Sequence, residues 1–147
     1  MLADVQKAAG FRIGKADAPI IYTFVDPLCI HCKTFISMAA PEIEAGHIAI
    51  QALPVAVIAK ESMPMAAFLM QAKDAATRYM TLVQKEDISV IPMNETHDTT
   101  PVQANIDLMM KWKFDGTPVT IYRAKDGKIK IVSGSVENMD VILKDLR

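Results

Sequence analysis

The sequence predicts a single α/β domain whose sheet combines parallel and antiparallel strands. Apolar, strand-like runs alternate with stretches of helical periodicity, in the order β-α-β, then helices, then β-β-α. The size agrees with this class, because 147 residues with 51% apolar side chains suffice for one sizeable core. The net charge of −1 lacks the basic footprint of a nucleic-acid-binding protein, so no nucleic-acid partner is expected.

The first half of the chain predicts a parallel β-α-β unit. Residues 20–25 form a short run rich in β-branched and aromatic side chains, which is typical of a buried strand. A helix is predicted over 29–45, with a kink at Pro41 because proline has no N–H to donate. Residues 47–54 alternate loosely and predict the second strand. Ahead of this unit, residues 4–9 predict a short helix.

The middle of the chain predicts two helices. Ser62 is expected to cap a long helix that continues to Val83, because apolar residues follow helical spacing along one face. Thr100-Pro101 is expected to open the second helix, since proline is favoured in a first turn. The apolar side of this second helix is predicted to carry Val102, Ile106, Met109 and Met110.

The last third of the chain predicts a β-hairpin and a closing helix. Residues 119–123 and 128–132 predict two strands joined by the Asp126-Gly127 turn. Ser135 is expected to cap the final helix. With a Cys-x-x-Cys motif directly after the first strand, this order of elements is the layout of a thioredoxin fold with a helical insertion.

The two cysteines, Cys29 and Cys32, lie at the predicted strand-to-helix junction. A disulfide between them would close a tiny loop, which makes it a poor structural cross-link and favours a chemical role. Cys29 would lie at the helix N-terminus, where free backbone N–H groups and the helix dipole favour a thiolate. Cys32 follows one helical turn later on the same face. We therefore expect Cys29 to attack a substrate and Cys32 to resolve the mixed disulfide.

His31, between the cysteines, is expected to tune their redox balance. A charged imidazole stabilises the Cys29 thiolate, which favours the reduced form and makes the protein more oxidising. Other interpretations stay open: His31 as an ordinary exposed residue, inert buried cysteines, or a structural zinc site. Zinc would need two more ligands, and His47 and His97, interpreted as structural or surface residues, lack paired spacing. Neither a metal nor a cofactor is expected.

The run Phe24-Val25-Asp26-Pro27-Leu28-Cys29-Ile30-His31-Cys32-Lys33-Thr34-Phe35 resembles the DsbC/DsbG family of exported bacterial disulfide isomerases. It is most similar to the DsbG block Phe-x-Asp-Pro-Phe-Cys-x-x-Cys-Lys-x-Phe. The similarity continues through residues 14–19, 46–62 and 72–74, and through Gly116-Thr117-Pro118 before a strand. It covers nearly the whole chain from about residue 14.

This resemblance implies a thioredoxin-like catalytic domain over residues 16–147, with a helical insertion at about 55–115 and residues 1–15 as the remnant of a linker helix. It implies that Thr117 and a cis Pro118 face the cysteines and take the substrate backbone. Members of the family isomerise disulfides or reduce oxidised cysteines of protein substrates in the periplasm, and a membrane reductant of the DsbD type keeps them reduced. A periplasmic location is therefore expected, although the chain shows no signal peptide.

Three departures from the family pattern keep alternatives open. Family members dimerise through an N-terminal domain for which this chain has no room, so a monomer is expected here and a homodimer only where that domain is present. Ile30-His31 replaces the usual Pro-Tyr or Gly-Tyr, and histidine there is typical of DsbA-type oxidases. Thr23 lies where thioredoxins have a buried acid. The main hypothesis is a disulfide isomerase or reductase. The alternatives are a DsbA-like dithiol oxidase and a non-catalytic thioredoxin-like chaperone or binding module.

Overall fold

A computed structural model describes all 147 residues and contains one five-stranded sheet. The sheet order is β1-β3-β2-β4-β5. Its central pair, β2 and β3, is parallel, and the other three pairings are antiparallel. The strands are β1 (Phe11–Ile13), β2 (Ile20–Val25), β3 (Ala49–Pro54), β4 (Val119–Arg123) and β5 (Ile129–Ser133). The predicted thioredoxin layout is therefore confirmed, including the bounds of β2 and β4.

Six α-helices cover both faces of the sheet. They are α1 (Leu2–Lys7), α2 (Ile30–Glu44), α3 (Ser62–Gln71), α4 (Ala75–Lys85), α5 (Thr100–Lys111) and α6 (Asp140–Leu146), with a single 3-10 turn at Ile88–Val90. A cluster of 24 buried residues joins one face of the sheet to α2, α3, α4 and α6 and includes both cysteines. A smaller cluster of 8 residues joins the sheet to α1 and α5. No helix has the length and apolar character needed to cross a membrane.

Four predictions in the helical regions are wrong. The long helix from Ser62 divides into α3 and α4, because the backbone becomes extended at Ala72 (ψ 131°). Ser62 does not cap α3, since its hydroxyl instead donates to the Asp26 carboxylate. Ser135 does not cap the last helix, which begins at Asp140 where the Asn138 side chain accepts the first backbone N–H. On α5, the predicted apolar Met110 is 69% exposed.

The edge strand β1 was absent from the sequence prediction. Phe11–Ile13 pairs with β3, and Gly10 makes the approach possible. A Cβ at Gly10 would lie 2.0 Å from the carbonyl oxygen of Ala52, a distance no side chain tolerates. The sheet therefore begins at residue 11, ahead of the predicted domain boundary at residue 16. The assignment of residues 1–15 to a linker-helix remnant stays a prediction.

Candidate active site

Cys29 is the N-cap of α2, at the point where the chain leaves β2. Its backbone N–H donates to the Asp26 carbonyl at 3.0 Å, which closes a tight turn. Its Sγ accepts the backbone N–H of Cys32 at 3.1 Å. The sulfur thus takes the place that a serine or aspartate oxygen usually has at a helix N-terminus. Negative charge on this sulfur is favoured by the helix dipole and the free N–H groups.

The surroundings of Cys29 lower the pKa of its thiol to about 6. The largest cause is a hydrogen bond from the Cys32 thiol, and burial opposes it. The backbone N–H groups of Cys32 and His31 lower the pKa further. Cys29 is therefore largely a thiolate at neutral pH, which is the nucleophilic form of cysteine.

Cys32 lies in the opposite environment. Its side chain is completely buried in the main core cluster. Burial raises the pKa of the Cys32 thiol strongly, and the hydrogen bond that it donates to Cys29 adds to the increase. One sulfur of the pair is therefore ionised and the other is protonated, and the protonated Cys32 donates a hydrogen bond to the ionised Cys29.

Thr117 and Pro118 lie beside Cys29, as the family resemblance implies. The peptide bond between them is cis. The Thr117 carbonyl oxygen lies 3.4 Å from the Cys29 Sγ and accepts a hydrogen bond from it when the thiol is protonated. The Thr117 hydroxyl is buried without a hydrogen-bond partner. On the outer side, these two residues line a cleft of about 320 Å³ together with Lys113, Asp115 and Ser133. The structure thus brings Cys29, Cys32, Thr117 and Pro118 together, and their predicted roles stay predictions.

The side chain of His31 is exposed to solvent. The contribution of this residue to the lowered pKa of Cys29 comes from its backbone N–H, a group that any residue except proline supplies. A tuning role for the imidazole stays a prediction. The other two histidines lie in local pairs, His47 with Glu42 at 2.7 Å and His97 with Glu95 at 3.1 Å.

Asp26 is a site residue that the sequence analysis treated only as the end of a strand. Its side chain is buried, with 1% exposure. One carboxylate oxygen accepts the Leu28 N–H (2.9 Å) and the Ser62 hydroxyl (2.8 Å). The other accepts the N–H groups of Val57 (2.7 Å) and Ile58 (2.9 Å). Four donors converge on this group, which fits an acceptor-only carboxylate.

The Asp26 carboxylate therefore ties the turn before Cys29 to the loop after β3 and to the start of α3. The sequence carried one signal for this role: an acid between a buried strand and the redox motif. At the position where thioredoxins have a buried acid, this chain has Thr23. Its side chain is fully buried, and its hydroxyl is hydrogen-bonded to the Thr120 hydroxyl at 3.0 Å. The buried acid of this chain thus lies three residues later than in thioredoxins.

Tyr79 of α4 is a second residue near the site that the sequence did not indicate. Its position in the sequence predicted only that it lies on the apolar face of a helix. Its ring is 1% exposed and packs edge-on against Phe11. Its hydroxyl is buried and has no hydrogen-bond partner. Burial raises the pKa of Tyr79 well above its usual range, and negative charge at Cys29 or Asp26 adds to the increase. An uncommitted hydroxyl therefore lies in the apolar surroundings of the cysteine pair.

The chemistry available here is that of two sulfurs and their hydrogen-bond donors. No group of three or more histidine, cysteine, aspartate or glutamate side chains is arranged to hold a metal ion. The thiolate can attack a disulfide, and the neighbouring thiol can then attack the mixed disulfide that results.

Sequence comparison finds two relatives of the same kind. The chain is 32% identical over 125 residues, 82% of its length, to the thiol:disulfide interchange protein DsbG of Escherichia coli. It is 27% identical over 139 residues to the protein of the same name from Pseudomonas aeruginosa. The chain spans about half the length of these relatives, 50% and 54%. It matches no protein-family profile.

Structural comparison gives the same fold. A periplasmic thioredoxin-like protein from Salmonella enterica serovar Typhimurium superposes with a TM-score of 0.77 at 20% identity, covering 97% of this chain and 93% of that one. The catalytic domain of Proteus mirabilis ScsC superposes with a TM-score of 0.76 at 22% identity, covering 97% and 92%. The cysteine pair at the start of α2, the thioredoxin fold and the DsbG relatives identify the chain as a DsbC/DsbG-like thioredoxin-fold domain.

Proposed function

We propose that the chain is a periplasmic disulfide reductase and isomerase that acts on cysteines of protein substrates. The observation that carries this proposal is the division of properties between the two sulfurs. Cys29 is the helix cap with a pKa of about 6, whereas Cys32 is buried and protonated beside it. In a dithiol arranged in this way, Cys29 is the nucleophile of the first exchange step, and Cys32 stays protonated until the second step.

Reduction proceeds in two exchange steps. The Cys29 thiolate attacks one sulfur of a substrate disulfide, a Cys29–substrate disulfide forms, and the other substrate sulfur leaves as a thiolate. Cys32 then loses its proton to that thiolate and attacks the Cys29 sulfur. A Cys29–Cys32 disulfide forms and the second substrate thiolate leaves. Two electrons pass from the dithiol to the substrate.

Isomerisation needs only the first step and its reversal. Another thiolate of the same substrate attacks the mixed disulfide, so that a new substrate disulfide forms and Cys29 leaves as a thiolate. Its low pKa makes Cys29 a good leaving group for this step. Thr117 and Pro118 are proposed to hold the substrate backbone beside the sulfur, which the carbonyl contact at 3.4 Å supports.

The partners follow from the electron balance. Each reduction leaves an oxidised pair, so a dithiol donor must regenerate the protein, and we propose a membrane reductant of the DsbD type. The domain by itself is proposed to be monomeric, with a homodimer only where a dimerising N-terminal domain precedes it.

A DsbA-like dithiol oxidase is the second candidate. The low pKa of Cys29 supports it, because a stabilised thiolate favours the reduced form and makes the disulfide a stronger oxidant. The test mixes oxidised protein with a reduced unfolded substrate and follows disulfide transfer, with His31→Tyr as the comparison. Rapid transfer that His31→Tyr slows several-fold supports the oxidase. Slow transfer by both proteins excludes it.

The main proposal is tested with a substrate whose disulfides have been scrambled. Reduced protein is incubated with it, and recovery of native substrate is measured beside Cys29→Ser and Cys32→Ser. Recovery that requires Cys29 supports isomerase activity of this domain. Recovery that Cys29→Ser retains in full excludes it. If native substrate is not recovered but Cys32→Ser traps a mixed disulfide, Cys29 acts as a nucleophile and the isomerase part of the proposal is wrong.

A further inference from the structure

The strand β5 forms an open edge of the sheet. It pairs with β4, and no strand lies on its outer side. The opposite edge strand, β1, has only three residues and packs through Phe11 against Tyr79 of α4. In β5, which has five residues, Ile129 and Ile131 are 39% and 45% exposed. An exposed edge strand offers unpaired backbone groups to another chain, so it is a natural place for a further strand to bind.

The hydrogen bonds between β4 and β5 show which backbone groups of β5 are free. The Gly134 N–H, directly after β5, donates to the Pro118 carbonyl at 2.7 Å. In an antiparallel pair, hydrogen-bonded positions alternate with positions whose N–H and C=O groups point away from the partner strand. The residues of β5 that point away from β4 are therefore Ile129, Ile131 and Ser133. We call these three residues the open edge.

The hairpin of β4 and β5 is strongly basic. Arg123, Lys125, Lys128 and Lys130 lie within residues 123–130, where the only acid is Asp126. None of these four cations belongs to an ion pair. The whole chain has a net charge of −1, so the positive charge is a local property of this hairpin. It favours a partner of negative charge.

Apolar and basic side chains alternate along the open edge. Ile129 and Ile131 point to one face of the sheet, where Ile131 lies opposite the buried Ile121 of β4. Lys128 and Lys130 point to the other face. The side chains of an added strand would lie in two matching rows, because directly opposed residues share a face. Apolar residues beside the isoleucines and acidic residues beside the lysines would stabilise the pairing.

A second copy of this chain fits the open edge poorly. Pairing two β5 strands would bring two sets of the same four cations together, and like charges oppose such pairing. An acidic strand meets the same backbone groups with attraction instead of repulsion. The basic side chains therefore disfavour self-association and favour a partner of opposite charge.

We propose that the open edge of β5 is a docking site for an extended segment of a partner protein in which acidic and apolar residues alternate. The segment adds a sixth strand to the five-stranded sheet, and its backbone is hydrogen-bonded to Ile129, Ile131 and Ser133. Docking here requires no thiol chemistry, so the protein should bind such a segment with or without Cys29.

The test measures binding of a fluorescent peptide, Thr-Val-Glu-Val-Glu-Val-Thr, by anisotropy. We expect it to bind at least about tenfold more tightly than an isomer with adjacent glutamates, because only the alternating peptide matches both rows. The peptide with lysine in place of glutamate should not bind. Equal affinities of the alternating peptide and its isomer would overturn the proposal. Cys29→Ser should bind the alternating peptide like the parent protein.

Methylation of the peptide backbone tests whether a strand is added. Two versions of the alternating peptide carry N-methyl groups on one or the other set of alternate residues. Only one set of N–H groups can face β5, so one version should lose binding and the other should keep it. If both versions keep their affinity, the peptide is held by charge alone and no strand is added, which would contradict the docking site.

Variants of the protein locate the site. Lys128→Glu and Lys130→Glu should each weaken binding of the alternating peptide about fivefold, because attraction becomes repulsion. The matched control is Lys73→Glu, at an exposed position between α3 and α4, and it should leave the affinity unchanged. An equal loss in Lys73→Glu would show a dependence on net charge only and would remove β5 as the site.

Vesicles of phosphatidylglycerol separate a polypeptide partner from a membrane surface, since basic and apolar side chains together also suit anionic lipid. Binding of the protein to these vesicles that Lys130→Glu abolishes, with no binding of the alternating peptide, would overturn the proposal in favour of a membrane. Binding of the alternating peptide without binding to the vesicles supports the polypeptide partner.

Discussion

The two cysteines lie one helical turn apart, and their surroundings change the pKa of their thiols in opposite directions. Cys29 caps α2 and is surrounded by donors from Cys32 and the backbone, which lower its pKa to about 6. Cys32 lies in the core among apolar side chains, which raises its pKa strongly. Identical side chains thus acquire different roles from burial and hydrogen bonding alone. This is the same physical separation that lets paired acids act as acid and base in other enzymes.

The largest expected effect is a difference in alkylation rate between the two sulfurs. In the reduced native protein, iodoacetamide should modify Cys29 at least about 100-fold faster than Cys32, because Cys32 is both protonated and inaccessible. Peptide mass spectrometry after brief labelling measures this ratio. The same labelling in concentrated urea is the control and should bring the ratio near one. Comparable labelling in the native state would contradict the contrast.

The second prediction removes the structure that holds the Cys29 turn in place. Asp26→Asn replaces an acceptor oxygen with an NH₂ group, so that either the Val57 and Ile58 N–H groups or the Leu28 N–H and the Ser62 hydroxyl lose their acceptor. The free energy of unfolding should fall by about 2–4 kcal/mol, measured by urea denaturation of the reduced protein. Asp17→Asn, at an exposed loop position, is the control and should change stability by less than about 0.5 kcal/mol. Equal stability of the two variants would show that Asp26 does not hold the site.

The third prediction concerns the proton that the cysteines share. The alkylation rate of Cys29 should rise about tenfold from pH 5 to pH 8 and reach a plateau above about pH 7, as a pKa of about 6 requires. Cys32→Ala removes the largest cause of the low pKa and should move the plateau to higher pH. Cys32→Ser keeps a hydroxyl donor and should move it less. Identical profiles for both variants would exclude the Cys32 hydrogen bond as the cause.

The sign of the stability effect follows from the same pKa. A folded-state pKa of about 6 lies below the ordinary value of 9.0, so the Cys29 thiolate stabilises the reduced fold. This contribution is fully present above the unfolded pKa and is lost as the pH falls through about 6. The difference in unfolding free energy between the parent and Cys29→Ala should therefore shrink from pH 9 to pH 5.

The smallest effect tests the apolar surroundings of Cys32. Tyr79→Phe removes a buried hydroxyl that has no partner, and the free energy of unfolding should rise by about 1 kcal/mol. Tyr122→Phe is the matched control, because the Tyr122 hydroxyl donates to Asp145 at 2.6 Å, and it should lower stability by about 1–2 kcal/mol. A loss of stability in Tyr79→Phe would show that its hydroxyl has a partner in solution.

The features that the sequence predicted are those with a local signal. The apolar run of β2, the β4 strand and the Cys-x-x-Cys motif each depend on neighbouring residues, and the fold class follows from their order. The cysteine positions needed only the rule that a helix N-terminus favours a thiolate. β1 has three residues and depends on a glycine that permits close approach to Ala52, so no periodicity indicated it.

The features that were missed depend on contacts between distant parts of the chain. The four bonds of Asp26 join residues up to 36 positions away, and Ser62 has a hydroxyl that suits either a helix cap or this carboxylate. The helix-capping rule considers only neighbouring residues and therefore predicted the cap. The apolar spacing continues across the break between α3 and α4, so periodicity alone predicted one helix. Tertiary packing overrides this local pattern and divides the segment into two helices.

The only tryptophan of the chain, Trp112, is a fluorescent probe of the position of α1. The Trp112 indole N–H donates to the Asp4 carboxylate at 3.0 Å, and the Lys111 ammonium lies 5.3 Å from the ring centre. Indole emission responds to nearby charges and to solvent access. Tryptophan fluorescence of the unlabelled protein therefore reports whether α1 remains in contact with the C-terminal end of α5.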